Sequence, residues 1–438
     1  VSGIFSKKSN SQKTKAVSAL QVQTSSYGPV LPLVYGKNRI AGNLGWYGNW
    51  KATGHKDSSS AGGKGGSSSG DTSYTYTTGV IIMLCEGQVQ GIGTIWNDTA
   101  TDTLSSLGMT FFNGATPQPA WSWLASYNPA QALPYNGVSY VAASALSLGQ
   151  STSLPNYNFE VAALVPFDAG TVDDALPTDI LTDYLTDPHH GAGFGNYLAD
   201  LTDLRNYCLA RELFLSVIED EQRTAADFLS DMATWCNFAP VWSFNQLKMI
   251  PYGDADLSSA HGSYTADVQP IYDLGADDFL YSDGSDAGVE LDWKDIEDCH
   301  NSVRIEYNDR ANGYNSVVQQ AIDQADIDAR GLYAMSDVQI TGITDATTAL
   351  HVAQLMLQRD LYIRKTYTFS TEMRYMLLEP MDVVTLTDPN AGLDRELGRI
   401  TTVTEQNDSR QFEAEELPIG VSTAAKNAPQ TTSAFSQD

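Results

Sequence analysis

Long apolar stretches are missing from this 438-residue chain. The longest unbroken one runs from Val80 to Cys85, far short of the roughly 20 residues that a membrane helix needs, so no membrane span is expected. The opening VSGIFSKKSNSQKTK has no apolar core between basic residues and a cleavage site, which gives no sign of a cleavable signal. Cysteine is scarce: Cys85, Cys208, Cys236 and Cys299 are far apart and form no CxxC pair. A zinc ribbon, a dithiol redox site and a disulfide scaffold are therefore unsupported, and four free, mostly buried thiols are expected. Of the 6 histidines only His189 and His190 adjoin, on a turn where neighbouring side chains rarely converge on one ion. No HExxH motif occurs, GxSxG is matched only within the Gly/Ser run at Gly66–Gly70, and no catalytic residue, cofactor or metal is expected.

Positive charge is also short, with Lys+Arg 25 against Asp+Glu 53 and a net charge of −28. The deficit is uneven, because residues 1 to 56 hold eight Lys or Arg and no acid. An acidic body repels nucleic acid, since phosphate contacts need cations to replace counterions. The same charge equally serves plain solubility or suits a lumen through which a polyanion slides without sticking. A composition of 42% hydrophobic and 18% charged residues is ordinary for a globular chain of two to four domains.

What is present reads as α+β and multidomain, two β-rich domains flanking a helical α+β domain. Residues 1–26 form a basic N-terminal arm, with Lys7, Lys8, Lys13 and Lys15 as candidate contacts to an acidic neighbouring subunit. Residues 27–165 are strand-like, and the hairpin they contain is tipped by a Gly/Ser run at 51–73 that includes Gly62, Gly63, Lys64, Gly65 and Gly66. Asn113 and Gly114 mark a turn, followed by Trp121 and Trp123.

Residues 166–265 read as the α+β domain. Leu176, Ile180, Leu181, Tyr184 and Leu185 give a helical stripe between Pro177 and Pro188. A second helix is placed at Asn196 to Ala210. A third starts at Thr224 with Asp227 as its capping partner and buries Phe228, Leu229, Met232, Ala233 and Cys236. NFAPVWSFNQLKMIPYGD alternates like a hairpin with Asn245 and Gln246 at its turn.

Residues 266–418 form a second β-rich domain. Val303, Ile305 and Tyr307 share one strand face, and a helix from about Asp345 to Asp360 buries Ala346, Ala349, Leu350, Ala353, Met356 and Leu357. Residues 419–438 read as a polar tail or linker.

Several signals point to chemistry that the spacing does not support. Lys64 is followed by Gly65 where a phosphate loop needs Ser or Thr. Asp283, Asp286, Glu290 and Asp292 offer hard oxygens, but Ala287 and Lys294 break EF-hand spacing. The runs Glu219–Asp220–Glu221 and Glu413, Glu415, Glu416 read as solvated faces.

Two blocks carry a resemblance. LPLVYGKNRIAGNLGWYGNW supplies Tyr35 and Gly36, and VIIMLCEGQVQGIGTIWND supplies Cys85, Glu86, Gly87 and Trp96. Together with TDPHHGAGF (Pro188, Gly191), LKMIPYGD and NSVRIEYNDRANGY, they resemble the baseplate hub or tail tip proteins of long-tailed bacteriophages, including the hub portion of the lambda-like host-specificity protein and the gene transfer agent hub. Met381 stands where the family's L-x-P-G-D-V-V loop has glycine.

The resemblance implies that the two β-rich domains are tail-tube-like antiparallel β-barrels. It further implies a homotrimeric structural virion protein at the distal end of the tail, assembled in the host bacterial cytoplasm, that closes the tube and opens for genome passage. The implied partners are the distal tail and tail tube proteins, the tape measure protein and other tail tip or fibre proteins, with genomic DNA only passing the lumen. The motif residues are implied to be scaffold. The rival expectations are a tail-associated glycosidase or peptidoglycan hydrolase, from the abundant carboxylates, and a carbohydrate-binding adhesin using Trp121 and Trp123.

Overall fold

The computed structural model describes residues 30–56, 72–97, 100–163, 173–281, 286–406 and 408–421. The four arm lysines, the run from Gly62 to Gly66, Asp283 and residues 422–438 lie outside them. The chain divides into two compact units, Val1–Leu164 with Glu219–Glu221, and Val165–Ile218 with Gln222–Asp438.

The first unit holds strands β1 (Leu33–Val34), β2 (Lys37–Ala41), β3 (Asn43–Lys56), β4 (Thr72–Glu86), β5 (Val89–Asn97), β6 (Ala100–Asp102), β7 (Thr110–Asn113), β8 (Val138–Gly149) and β9 (Tyr157–Ala163), with helix α1 (Ser122–Tyr127). β4 is central in one sheet, antiparallel to β3 and β8 and parallel to β1 at Leu33↔Glu86; β7 lies beyond β8. A second sheet has the order β2-β9-β5-β6.

The apolar run of β4 is explained by burial on both faces, as a strand with no solvated side requires. Ile81 packs in a cluster with Trp121, Leu124, Tyr140 and Ala142. Ile82 points the other way, where it and Phe159 of β9 close around Gly42 so tightly that a Cβ there would stand 2.5 Å and 2.7 Å from them. Asn113–Gly114 is a turn with Gly114 at φ +81°, and a Cβ on it would meet the Gly87 carbonyl oxygen at 2.2 Å.

The second unit opens with helices α2 (Pro177–Thr186) and α3 (Thr202–Arg211); β10 (Ile218–Glu219) falls at the boundary of the two groupings. Helix α4 (Ala225–Cys236) is capped by Thr224, whose hydroxyl accepts from the Asp227 amide. The strands β11 (Phe238–Ser243), β12 (Gln246–Pro251), β13 (Leu257–Ser258), β14 (Ser263–Tyr264), β15 (Tyr272–Leu274), β16 (Val289–Trp293), β17 (Ser302–Asp309) and β18 (Asn315–Ile322) follow, with helix α5 (Gln324–Arg330) and β19 (Val338–Gln339). Helix α6 (Ala346–Tyr362), capped by Asp345, leads to β20 (Lys365–Glu372), β21 (Val383–Asp388), β22 (Leu393–Glu405) and β23 (Ser409–Glu416).

The largest sheet here runs β15-β21-β22-β23-β20-β16 around a core of Tyr367, Phe369, Val384, Leu386, Ile400 and Phe412. Its end strands β15 and β16 do not bond to each other, and neither does any sheet of the first unit close. The expected barrels are therefore open sheets among the described residues. Closure depends on pairing the first and last strands of a sheet, which local alternation does not encode.

Other expectations shift by physical detail. The second helix starts at Thr202, because Gly195–Tyr197 forms a short 3-10 turn and the chain then runs extended at Leu198. The hairpin turn is Phe244–Asn245, both at positive φ, one residue earlier than expected. Leu229, Ala233 and Met356, read from periodicity as core, are half-buried, and Ala346 is exposed. Met381 adopts a left-handed conformation, at φ 77°, with its amide donating to the Ile400 carbonyl at 2.7 Å.

Candidate functional site

In the first unit the motif residues form a backbone junction. Tyr35 is 1% exposed, and Gly36 and Gly87 adopt φ 68° and 84°. The Gly36 carbonyl accepts from the Ala163 amide at 2.8 Å, the Glu86 amide donates to Pro32 at 3.0 Å, and the Gly87 amide donates to Gly137 at 2.7 Å. Cys85 is buried 3.1 Å from the Ser139 hydroxyl, and burial pushes its thiol up to about 11 against the weaker opposing effect of that hydrogen bond. A thiol held neutral in this way is a poor nucleophile. Trp96 lies under the Arg39 guanidinium at 4.5 Å, a cation–π contact on the second sheet.

Trp121 and Trp123 sit with Trp46 and Tyr127 in one aromatic group. Trp46 meets Trp121 and Trp123 edge-on at 6.4 and 6.2 Å, and Trp123 stacks on Tyr127 at 4.9 Å. The Trp46 Nε1 donates to Gln131 at 2.7 Å. Trp121 is buried and Trp46 and Trp123 are half-buried against it and the sheet beneath, while Tyr127 stays 51% exposed at the edge of the group.

In the second unit, Pro188 and Gly191 shape the exit from α2. A Cβ on Gly191 would stand 2.4 Å from the Tyr184 carbonyl oxygen, so only glycine fits. His189, exposed, and His190, half-buried, both bring Nδ1 towards Asp187, at 3.7 Å and 3.3 Å, and His190 also places its Nε2 3.0 Å from Asp183. Burial works against the Asp187 charge, and the amides of His189 and His190 outweigh it, so its pKa is lowered. With both ring nitrogens engaged, the imidazole occupies the space between the two carboxylates.

A groove of about 870 Å³ runs between α4 and α6, walled by Leu229, Ala233, Met335, Val338, Met356 and Ile363. Both carboxylates that line it are ion-paired, Asp360 with Lys294 at 2.6 Å and Glu415 with Arg359 at 2.9 Å. Glu415 and Glu416, read from sequence as solvated, are half-buried anchors: Glu416 accepts from the amides of Arg364 at 2.5 Å and Lys365 at 2.9 Å. A hydrolytic carboxylate pair needs one free base and one protonated acid facing a cleft, and neither lines this groove.

Two features went unread in the sequence. One is a buried polar knot: Arg310, from the YNDR run, donates to Asp174 and to the Thr344 hydroxyl at 2.6 Å, while Ser216 donates to Asp174 at 2.5 Å. The other is a surface aromatic group of Phe194, Tyr197 and Trp242, with Phe244 80% exposed at the hairpin turn. The outward alternation of Trp242 in FAPVWSF was its only sequence signal.

Residues 224–403 match the model of a sequence family described as "Putative phage tail protein". The match lies within the second unit and covers less than half of the chain. No curated protein matches the sequence. Among solved structures, a chain of the "Virion of native gene transfer agent (GTA) particle" is similar over 96% of this chain and 92% of that one, with TM-score 0.63 and 19% identity; at that identity the likeness is one of fold.

The 43 kDa tail protein of prophage MuSo2 from Shewanella oneidensis matches at TM-score 0.35 and 13% identity over 87% of this chain and 98% of that one. A tail protein from Neisseria meningitidis MC58 matches at TM-score 0.35 and 11% identity over 89% and 99%. Neither score supports a fold assignment. The chain thus carries a phage tail protein signature over residues 224–403, within a fold shared with a chain of a gene transfer agent virion.

Proposed function

We propose that this chain is a structural virion protein, the central hub of a phage tail tip or baseplate, that closes the tail tube, organises neighbouring tip proteins and opens for DNA passage. The observation that carries the reading is the fold shared with a gene transfer agent virion chain across 96% of this chain, together with the phage tail signature in the second unit.

The chemistry of the described residues supports a mechanical role. The motif residues Tyr35, Gly36, Cys85, Glu86, Gly87, Trp96, Pro188 and Gly191 act as scaffold, fixing turns and the strand junction. In this reading three copies form the hub, contacting the distal tail, tail tube and tape measure proteins and other tip or fibre proteins at the distal end of a tail assembled in the host cytoplasm. Net charge of −28 keeps passing DNA from adhering, and Lys7, Lys8, Lys13 and Lys15 contact a neighbour.

The test is to image particles carrying a labelled chain and to measure the mass of the purified protein by light scattering. A trimer coaxial with the tail tube is expected. An off-axis position, or a monomer that turns over peptidoglycan, sinks the reading.

A further inference from the structure

β18 has an unprotected edge. Among the described residues it bonds only to β17 of the sheet β18-β17-β19, in an unbroken register from Ser302↔Ile322 to Asp309↔Asn315. Its eight residues, NSVVQQAI, include no charge and no proline, and Val318 and Ile322 are 44% and 48% exposed. Natural sheets blunt such edges because a bare row of N–H and C=O groups invites another strand.

The other edges among the described residues are blunted in those ways. β6, β7 and β15 have three or four residues, and β19 has two. β2 carries Lys37 and Arg39, and β16 carries Glu290 and Asp292. β11 contains Pro240, β12 contains Lys248, and β3 is broken by two register shifts.

The charge around β18 selects what can pair with it. From residue 306 to 330 the chain holds Glu306, Asp309, Asp323, Asp326 and Asp328 against Arg310 and Arg330; Arg310 is spent on Asp174 and Arg330 on Asp326, which leaves the surroundings net acidic. A docking strand must therefore be uncharged or basic. Of the segments outside the described residues, only the first carries more than one Lys and no acid: it holds Lys7, Lys8, Lys13 and Lys15 and continues through AVSALQVQ, in which Leu20 and Val22 alternate with Gln21 and Gln23.

We propose that the basic N-terminal segment of a second copy of this chain adds to β18 as one more strand, with its lysines against Asp323 and Asp328. The inference rests on the multi-copy assembly proposed above and names a contact that holds the copies together.

The test is amide hydrogen exchange on the full-length chain, associated and diluted to monomer. Association is expected to slow exchange across Asn315–Ile322 at least tenfold. Val318→Lys with Ile322→Lys should abolish that protection, as should Glu at all four lysine positions; unchanged far-UV circular dichroism shows that both variants fold. Mixing the two variants should restore protection in the copy whose β18 is intact.

Three results overturn the proposal: equal exchange in both states, protection that survives the four Lys→Glu changes, or no recovery on mixing, which means that the segment pairs within its own chain. Association with an unprotected β18 sinks this inference alone. A chain that never associates sinks the assembly reading with it.

Discussion

Removing Asp174 is the sharpest test of how the second unit is held together. Its carboxylate is 5% exposed and takes hydrogen bonds from Arg310, Ser216 and Thr344, groups that lie 136, 42 and 170 residues away. Burial disfavours the Arg310 charge, but the Asp174 carboxylate more than offsets it, so the guanidinium pKa is raised. Asp174→Ala leaves that cation without its close partner. Breaking a buried pair by losing one member costs about 3–5 kcal/mol.

Asp173, half-exposed and 3.7 Å from the same guanidinium, compensates in part. The expected loss is therefore about 3 kcal/mol, or about 6–12 °C in Tm for a unit of this size. Urea unfolding followed by tryptophan fluorescence measures it. Asp174→Leu with Arg310→Met should recover much of the loss, because an apolar pair carries no stranded charge. A loss below about 1 kcal/mol, or a double variant no more stable than Asp174→Ala, refutes the argument.

Further tests probe other parts of the fold. Gly114→Ala combines a left-handed backbone with a Cβ at 2.2 Å from the Gly87 oxygen; it should lose about 2–3 kcal/mol in the same unfolding assay. The Cys85 thiol, raised by burial to about 11, contributes stability that is complete below the unfolded thiol's range and lost as pH rises from about 9 to about 11. The loss totals about 2–3 kcal/mol, and Cys85→Ala should flatten that part of the pH profile.

Asp388 is fully buried and accepts from the amides of Gly288 at 2.7 Å, Val289 at 3.0 Å and Asn390 at 3.0 Å. Burial raises its pKa, and those amides lower it further than burial raises it. Its contribution is therefore present above the ordinary carboxylate range and lost on acidification. Asp388→Asn should lose about 1.5–3 kcal/mol at pH 7, with the gap to the parent chain closing in unfolding curves below about pH 4.

Local signals were legible where one element carries its own instructions. Thr224 with Asp227, Asp345 before α6, Pro177 at the first turn of α2 and Asn113–Gly114 each satisfy backbone groups or set a dihedral within a few residues, so periodicity and caps located them. The stripe of α4 was legible too, but its width misled. Leu229 and Ala233 fit the apolar period, yet no described neighbour covers them fully, and they line a groove with Met356. Short elements such as α1 and α5 escaped because six or seven residues are too few for a period to emerge.

The sequence by itself determined the strand-rich α+β character, the Asn113–Gly114 turn and the hairpin turn to within one residue, the acidic body with its basic beginning and the burial of all four cysteines, since composition and near-neighbour sterics govern these. Only the tertiary structure decided which face of each element meets a partner. It buried both sides of Val80–Cys85, joined Arg310 to Asp174, left the sheets open and left β18 bare. Those outcomes depend on contacts between residues that range from neighbouring strands to more than a hundred positions apart, and no local pattern of side chains records which surface a segment will meet.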